Sequence, residues 1–186
     1  CFVWICVRPG LRWNLPGWIP LSHAVSVLAW GLWQQAIDAD AGAGPSTRNF
    51  YGVLTLFEYD ADDPPNRHRL LRHGRITHGL QFTDPEHARR PTTYYGEKSG
   101  VGRAIRVTRA PGQRVGVVGL GVGTIATYGR PGDYYRFYEI NPEVVRLSGP
   151  AGDTFTYLMD SQATVEVALG DARLSMEREP PQQFDV

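Results

Sequence analysis

The run "RVGVVGLGVGTIATY", from Arg114 to Tyr128, constrains this chain more than any other stretch. A short apolar segment passes at once into a loop carrying Gly119, Gly121 and Gly123. A run of this kind reads as a buried strand that turns sharply, with glycines that free the backbone for the turn and for close approach of a ligand. "TIATYGR" then starts a helix, "DYYRFYEI" reads as a second strand and "NPEVVRLS" as a helix with Asn141 as N-cap and Pro142 at its first position. "ATVEVALGDA" reads as a third strand, "ARLSMERE" as a short helix and "QFDV" as the start of a fourth strand. Strands alternating with helices predict a parallel sheet with helices on both faces over residues 112–186. Tyr134, Tyr135, Phe137 and Tyr138 are expected to pack the second strand on both faces.

In open sheets of this type ligands bind at the carboxyl ends of the strands. Three elements fall there: the glycine loop, Glu139 ending the second strand and Asp171 ending the third. A dinucleotide fold wants Gly-x-Gly-x-x-Gly, and Thr124 stands at the last position, which holds a dinucleotide oxidoreductase back. Glu139 can accept hydrogen bonds from both hydroxyls of a ribose, and Asp171 from an adenine amino group. Each element alone has a plain alternative, a tight turn or a solvated strand-end acid. Together and in order they predict a nucleoside site with no pyrophosphate to cradle.

Upstream, "FYGVLTLFEY" and "RHRLLRHGRITHGLQF" read as a strand and a strand pair with Gly74 at the turn. "TDPEHARRPTTYYGEKSG" reads as a loop leading into a short helix, so residues 49–107 form a small antiparallel β unit. Residues 38–48, "DADAGAGPSTR", read as a linker. Residues 1–37 are apolar, with no charge from Trp13 to Ala36 and Trp18, Trp30 and Trp33 near the ends of the run. They are expected to form an apolar N-terminal helix that spans or edges a membrane, a packed amphipathic helix being the alternative. The 19 basic and 19 acidic residues cancel, which argues against a nucleic-acid partner. Cys1 and Cys6 lack zinc-ligand or disulfide-framework spacing. The spacing of His68, His73, His78 and His87 fits no zinc pattern, and His73 and His78 need not share a strand face, so these read as polar surface histidines and no metal is expected. The chain starts with Cys1 and stops at the onset of a strand, and is read as a fragment open at both ends.

The quoted segments, with "NFYGVLTLF", "RLLRHGRITHG" and "TTYYGEKSG" in that order, resemble the spermidine synthases, the polyamine aminopropyltransferases. The likeness covers about residues 48–186 and is strongest to large bacterial members whose spermidine-synthase-like domain follows transmembrane helices. It implies a Rossmann-like sheet of the class I methyltransferase type, truncated here, behind a small N-terminal β unit. It implies binding of decarboxylated S-adenosylmethionine and transfer of its aminopropyl group to a diamine such as putrescine, with no metal. On that resemblance Gly119, Gly121, Gly123, Glu139 and the adjacent Ile140 hold the cofactor, with Glu139 on the ribose. Asp171 and Ala172 contact adenine, Tyr95 is the substrate-loop tyrosine, and the catalytic acid lies beyond Val186. The chain departs from the family where Val122 replaces an Asp of the glycine loop, His73 the Asp of an Asp-Gly pair, Gly52 the Gln of a Tyr-Gln pair, and Pro91-Thr92 an Asp-Glu pair. These changes favour, as alternatives, a methyltransferase using S-adenosylmethionine itself or a non-catalytic nucleoside-binding module. The partners expected are a small-molecule amine, a membrane through residues 1–37 and a second copy of the chain. The domain is expected on the cytoplasmic side, where the nucleoside is found.

Overall fold

The structure, a computed structural model, describes residues 18–39 and 42–186. Cys1, Cys6 and the rest of the first apolar run lie outside the described residues. Two units separate, one ending at Ala41 and one from Gly42 to Val186. In the first, Trp18–Ala39 forms the 22-residue helix α1, with Leu21, Val25, Leu28 and Trp33 exposed. Among the described residues no helix is long and apolar enough to cross a membrane, so the spanning reading of this segment is not carried by α1.

The second unit is mixed α/β, with two sheets. An antiparallel sheet runs β1 (Ala43–Asn49), β2 (Gly52–Tyr59), β3 (His68–His73) and β4 (Ile76–Phe82), in that order. Strand β1 occupies residues read from sequence as linker. Its composition, Ala-Gly-Pro-Ser-Thr-Arg-Asn, gives no strand signal, and pairing with the β-branched and aromatic β2 holds it extended. A parallel sheet runs β5 (Arg114–Val118), β6 (Tyr134–Glu139) and β7 (Thr164–Leu169). Beside it lie α2 (Gly100–Val107), α3 (Pro142–Ser148) and α4 (Ala172–Arg178).

Strand β6 is covered on both faces. Tyr135 and Phe137 enter the core with Val144 and Leu147 of α3, while Arg136 and Tyr138 bond to Glu179 at the end of α4. Asn141 caps α3 by accepting from Glu143 N, and Pro142 starts the helix, as its sequence predicts. The segment after the glycine loop differs from expectation. Thr124–Tyr128 is a 3-10 helix rather than an α-helix. Thr124, Ile125 and Thr127 are β-branched, Thr127 Oγ1 bonds back to Thr124 O at 2.9 Å, and Gly129 and Pro131 prevent continuation.

Residues 182–186 lie along β5 on the side away from β6. Gly116 N donates to Val186 O at 2.9 Å, and Asp185 N to Arg114 O at 2.8 Å. Connections from β5 therefore lead to β6 on one side, and the chain returns to its other side, so the carboxyl end of β5 sits where the winding reverses.

One core joins the sheets. Leu54 and Leu71 of the antiparallel sheet pack with Val115, Leu120, Val122 and Phe155. Gln81 of β4, 4% exposed, bonds Thr156 through both its amide nitrogen and its carbonyl oxygen. This docking brings β4 against the glycine loop.

Candidate functional site

The loop from Val118 to Gly123 is held down by Leu120 and Val122, both buried. Gly119, Gly121 and Gly123 have φ of 92°, 56° and 85°, a region that side-chain-bearing residues rarely adopt. The three do different jobs. At Gly119 a Cβ would meet nothing, because the backbone faces open space. At Gly121 it would come within 3.0 Å of His78 O, so this glycine lets β4 lie on the loop. At Gly123 it would meet Leu158 Cδ1 at 2.3 Å. Gly123, expected in the ligand site, borders neither of the cavities described below; it packs the loop on the core. Val122 likewise faces inward, against Gly79 of β4.

Glu139 ends β6 and is 8% exposed. Its Oε2 accepts from Leu120 N and its Oε1 from Asn141 N, both at 2.8 Å. The carboxylate thus ties the glycine loop to the turn that starts α3. Each oxygen keeps a second lone pair. Asn141 Oδ1 also accepts from Asn49 Nδ2 at 2.7 Å, and Asn141 Nδ2 is buried without a partner.

Two cavities meet at Glu139. One, of about 400 Å³, is bounded by Val118, Gly119, Glu139, Ile140, Asp171 and Ala172. It lies across the carboxyl ends of all three parallel strands and is of a size that holds small ligands. Asp171 caps α4 through Oδ1, which accepts from Leu174 N at 3.0 Å; the residue is otherwise exposed. The second cavity, of about 360 Å³, shares Val118, Gly119, Glu139 and Ile140 with the first. It extends past Gly121 to Tyr51, His73, His78, Tyr94 and Tyr95. Every residue expected in the site except Gly123 therefore borders one of these two spaces.

Four residues of the second cavity were not legible as site residues: Tyr51, His73, His78 and Tyr94. The histidines reach it through a β-bulge. Leu71 pairs with Gly79 and Arg72 with Thr77, leaving His78 as the extra residue of β4. A bulge re-aims its side chain, and here it brings the His78 ring within 5.3 Å of the His73 ring. The surface reading of these two is thus corrected, because strict alternation does not hold through the bulge. His68 and His87 lie elsewhere, bonded to Asn66 O and paired with Asp84. His73 Nε2 lies 2.7 Å from Tyr51 O, which assigns the proton to Nε2.

Tyr94 and Tyr95 form the 3-10 turn Thr93–Tyr95, with ring centroids 4.4 Å apart. Tyr94 donates to Thr77 O at 3.2 Å, and Tyr128 donates to Tyr95 O at 2.6 Å, which fixes the turn between β4 and the loop. Burial, then the Tyr94 hydroxyl, pushes the Tyr95 phenol well above its usual range, so it stays protonated. Burial, then His73, lowers the His78 pKa from 6.5, and Glu139 opposes the shift.

The lowered value has a measurable consequence. On acidification through 6.5 the unfolded chain takes up the His78 proton before the folded one does. Stability is full above that range and declines as the pH falls towards the folded-state value. Urea midpoints recorded from about pH 8 to about pH 5 should show this decline, and His78→Gln should flatten it. An equal slope in the variant would remove His78 as its source.

Among the described residues no cluster could hold a metal ion. No protein-family model matches the chain, and no curated protein matches it.

Proposed function

We propose that the parallel-sheet half is a Rossmann-like nucleoside-binding domain of the class I methyltransferase type, and that the chain is a spermidine synthase-like aminopropyltransferase domain. It takes decarboxylated S-adenosylmethionine in the cavity at the strand ends and an amine in the adjoining one. One observation carries this: Gly119, Glu139, Ile140, Asp171 and Ala172, from the ends of three adjacent parallel strands, surround one cavity.

The residues fit such a nucleoside. Glu139 has a lone pair to spare on each oxygen for the ribose hydroxyls, and its two backbone bonds fix its direction. Asp171 keeps Oδ2 for an adenine amino group, since only Oδ1 caps α4. Val118 and Ile140 offer exposed apolar surface to a base. The 3-10 turn after the loop offers no α-helix N-terminus to a pyrophosphate, which tells against a dinucleotide. Once bound, the nucleoside supplies a carbon made electrophilic by its sulfonium. The chain's own residues position it, exclude water on the Leu120 and Val122 side, and hold the acceptor beside Glu139.

Methyl transfer from S-adenosylmethionine is the second reading. It is favoured by Val122, which lies in the core where an acid is expected to hold an aminopropyl end.

Calorimetric titration of decarboxylated S-adenosylmethionine, S-adenosylmethionine and methylthioadenosine, with Glu139→Ala as control, tests the proposal. Tightest binding of the decarboxylated form, lost in the variant, is expected. A preference for S-adenosylmethionine would move the assignment to methyl transfer, and no binding of any of the three would defeat both readings.

A further inference from the structure

We propose that the cavity of His73, His78, Tyr51, Tyr94 and Tyr95 is an acceptor subsite for a flat nitrogen compound that is uncharged at neutral pH, an aromatic amine or an azole, and that His78 accepts a hydrogen bond from its N–H. The proposal rests on the nucleoside reading of the adjoining cavity and names the acceptor class for it.

The chemistry of the lining excludes a linear diamine as the best fit. A diamine is a dication at neutral pH and needs carboxylates to replace its water. The one formal charge lining this cavity is Glu139, and both its oxygens already accept backbone N–H groups. The groups facing His78 are His73 from β3, Glu139 from β6, Tyr51 from the turn after β1, and Tyr94 and Tyr95 from their 3-10 turn. None of the others is an anion at neutral pH. Tyr95 stays protonated, and the environment of His78 holds its ring neutral.

What the lining offers is flat surface and one acceptor. The Tyr94 and Tyr95 rings adjoin, and the two imidazoles adjoin. A planar ligand can stack on such faces. Among the described residues no hydrogen bond occupies either nitrogen of His78, whereas His73 is committed to Tyr51 O. A neutral imidazole presents one acceptor nitrogen. The bulge that points His78 inward is a feature that recurs beside ligand sites, and nothing else in β4 uses it. An uncharged nitrogen also keeps its lone pair, the state that a nucleophile requires.

Aniline, benzylamine and putrescine, titrated into the full chain with and without methylthioadenosine, separate a flat neutral amine, a flat cation and a flexible dication. The ring C–H resonances of His78, followed by nuclear magnetic resonance, report the contact. Aniline should bind and shift these resonances, and putrescine should bind at least about tenfold more weakly. His78→Gln should weaken aniline about tenfold while leaving methylthioadenosine affinity unchanged. Tyr94→Ala should weaken aniline severalfold and serves if the first variant does not fold. Putrescine binding more tightly than aniline, or aniline indifferent to both substitutions, would overturn the proposal. Methylthioadenosine failing to bind while aniline still shifts His78 would defeat the nucleoside reading and keep the acceptor cavity. Methylthioadenosine binding with no response to aniline would do the reverse.

Discussion

Glu139→Gln should lower nucleoside affinity by about a hundredfold or more and destabilise the domain by about 3 kcal/mol. The substitution keeps the size of the side chain and removes its charge and one of its acceptors. Glu139 Oε1 and Oε2 each accept a backbone N–H, from Asn141 and Leu120. A glutamine has one carbonyl oxygen, so one buried N–H must face an NH2 group, and an unsatisfied buried donor costs about 1–3 kcal/mol. The same swap removes the acceptor offered to a ribose. Urea unfolding and calorimetry on the same preparation read the two losses separately. Nucleoside affinity within about threefold of the parent protein would show that Glu139 organises the loop without touching the ligand.

The second large effect is structural. Gly79→Ala should destabilise the domain by about 3 kcal/mol. Gly79 has φ of 145°, a conformation nearly confined to glycine, and a Cβ there would meet Val122 Cγ2 at 2.4 Å. Backbone strain and overpacking each cost about 1–3 kcal/mol. A double-mutant cycle with Val122→Ala isolates the clash, since trimming Val122 opens the space that the new methyl needs. The paired substitution should recover about 1 kcal/mol relative to the sum of the single ones. A Gly79→Ala protein with an unchanged urea midpoint would refute the close approach of β4 to the loop.

The parallel half was legible because its signals are local. The apolar run before Gly119, the Asn141-Pro142 cap and the acids at strand ends each need only a few residues to be read, and β5, β6, β7, α3 and α4 lie where those signals put them. The strand-end rule then placed Gly119, Glu139 and Asp171 at one edge. What escaped depends on partners distant in sequence. Strand β1 has no propensity of its own and is made by its pairing with β2. The 3-10 turn at Thr124–Tyr128 is decided by threonine back-bonding that competes with an apolar, helix-like pattern. The second cavity escaped because a bulge breaks the period on which face assignments rest. Five positions separate His73 from His78, which alternation assigns to opposite faces, and the unpaired residue cancels that difference. Gly123 escaped in the opposite sense: its spacing is that of a ligand glycine, and its neighbour is Leu158.

The bulge in β4 also limits how sequences of this kind can drift. Removing its extra residue would shift the register of everything after it, and a one-residue slip turns each following side chain to the other face. Gln81, which anchors β4 to Thr156 from a buried position, would swing outward, and the carbonyl that rests on Gly121 would move with it. A deletion of one codon here is therefore a lesion to both sheets at once. Insertions and deletions should accumulate instead at the Asp60–Asn66 turn, where the chain is exposed and nothing docks.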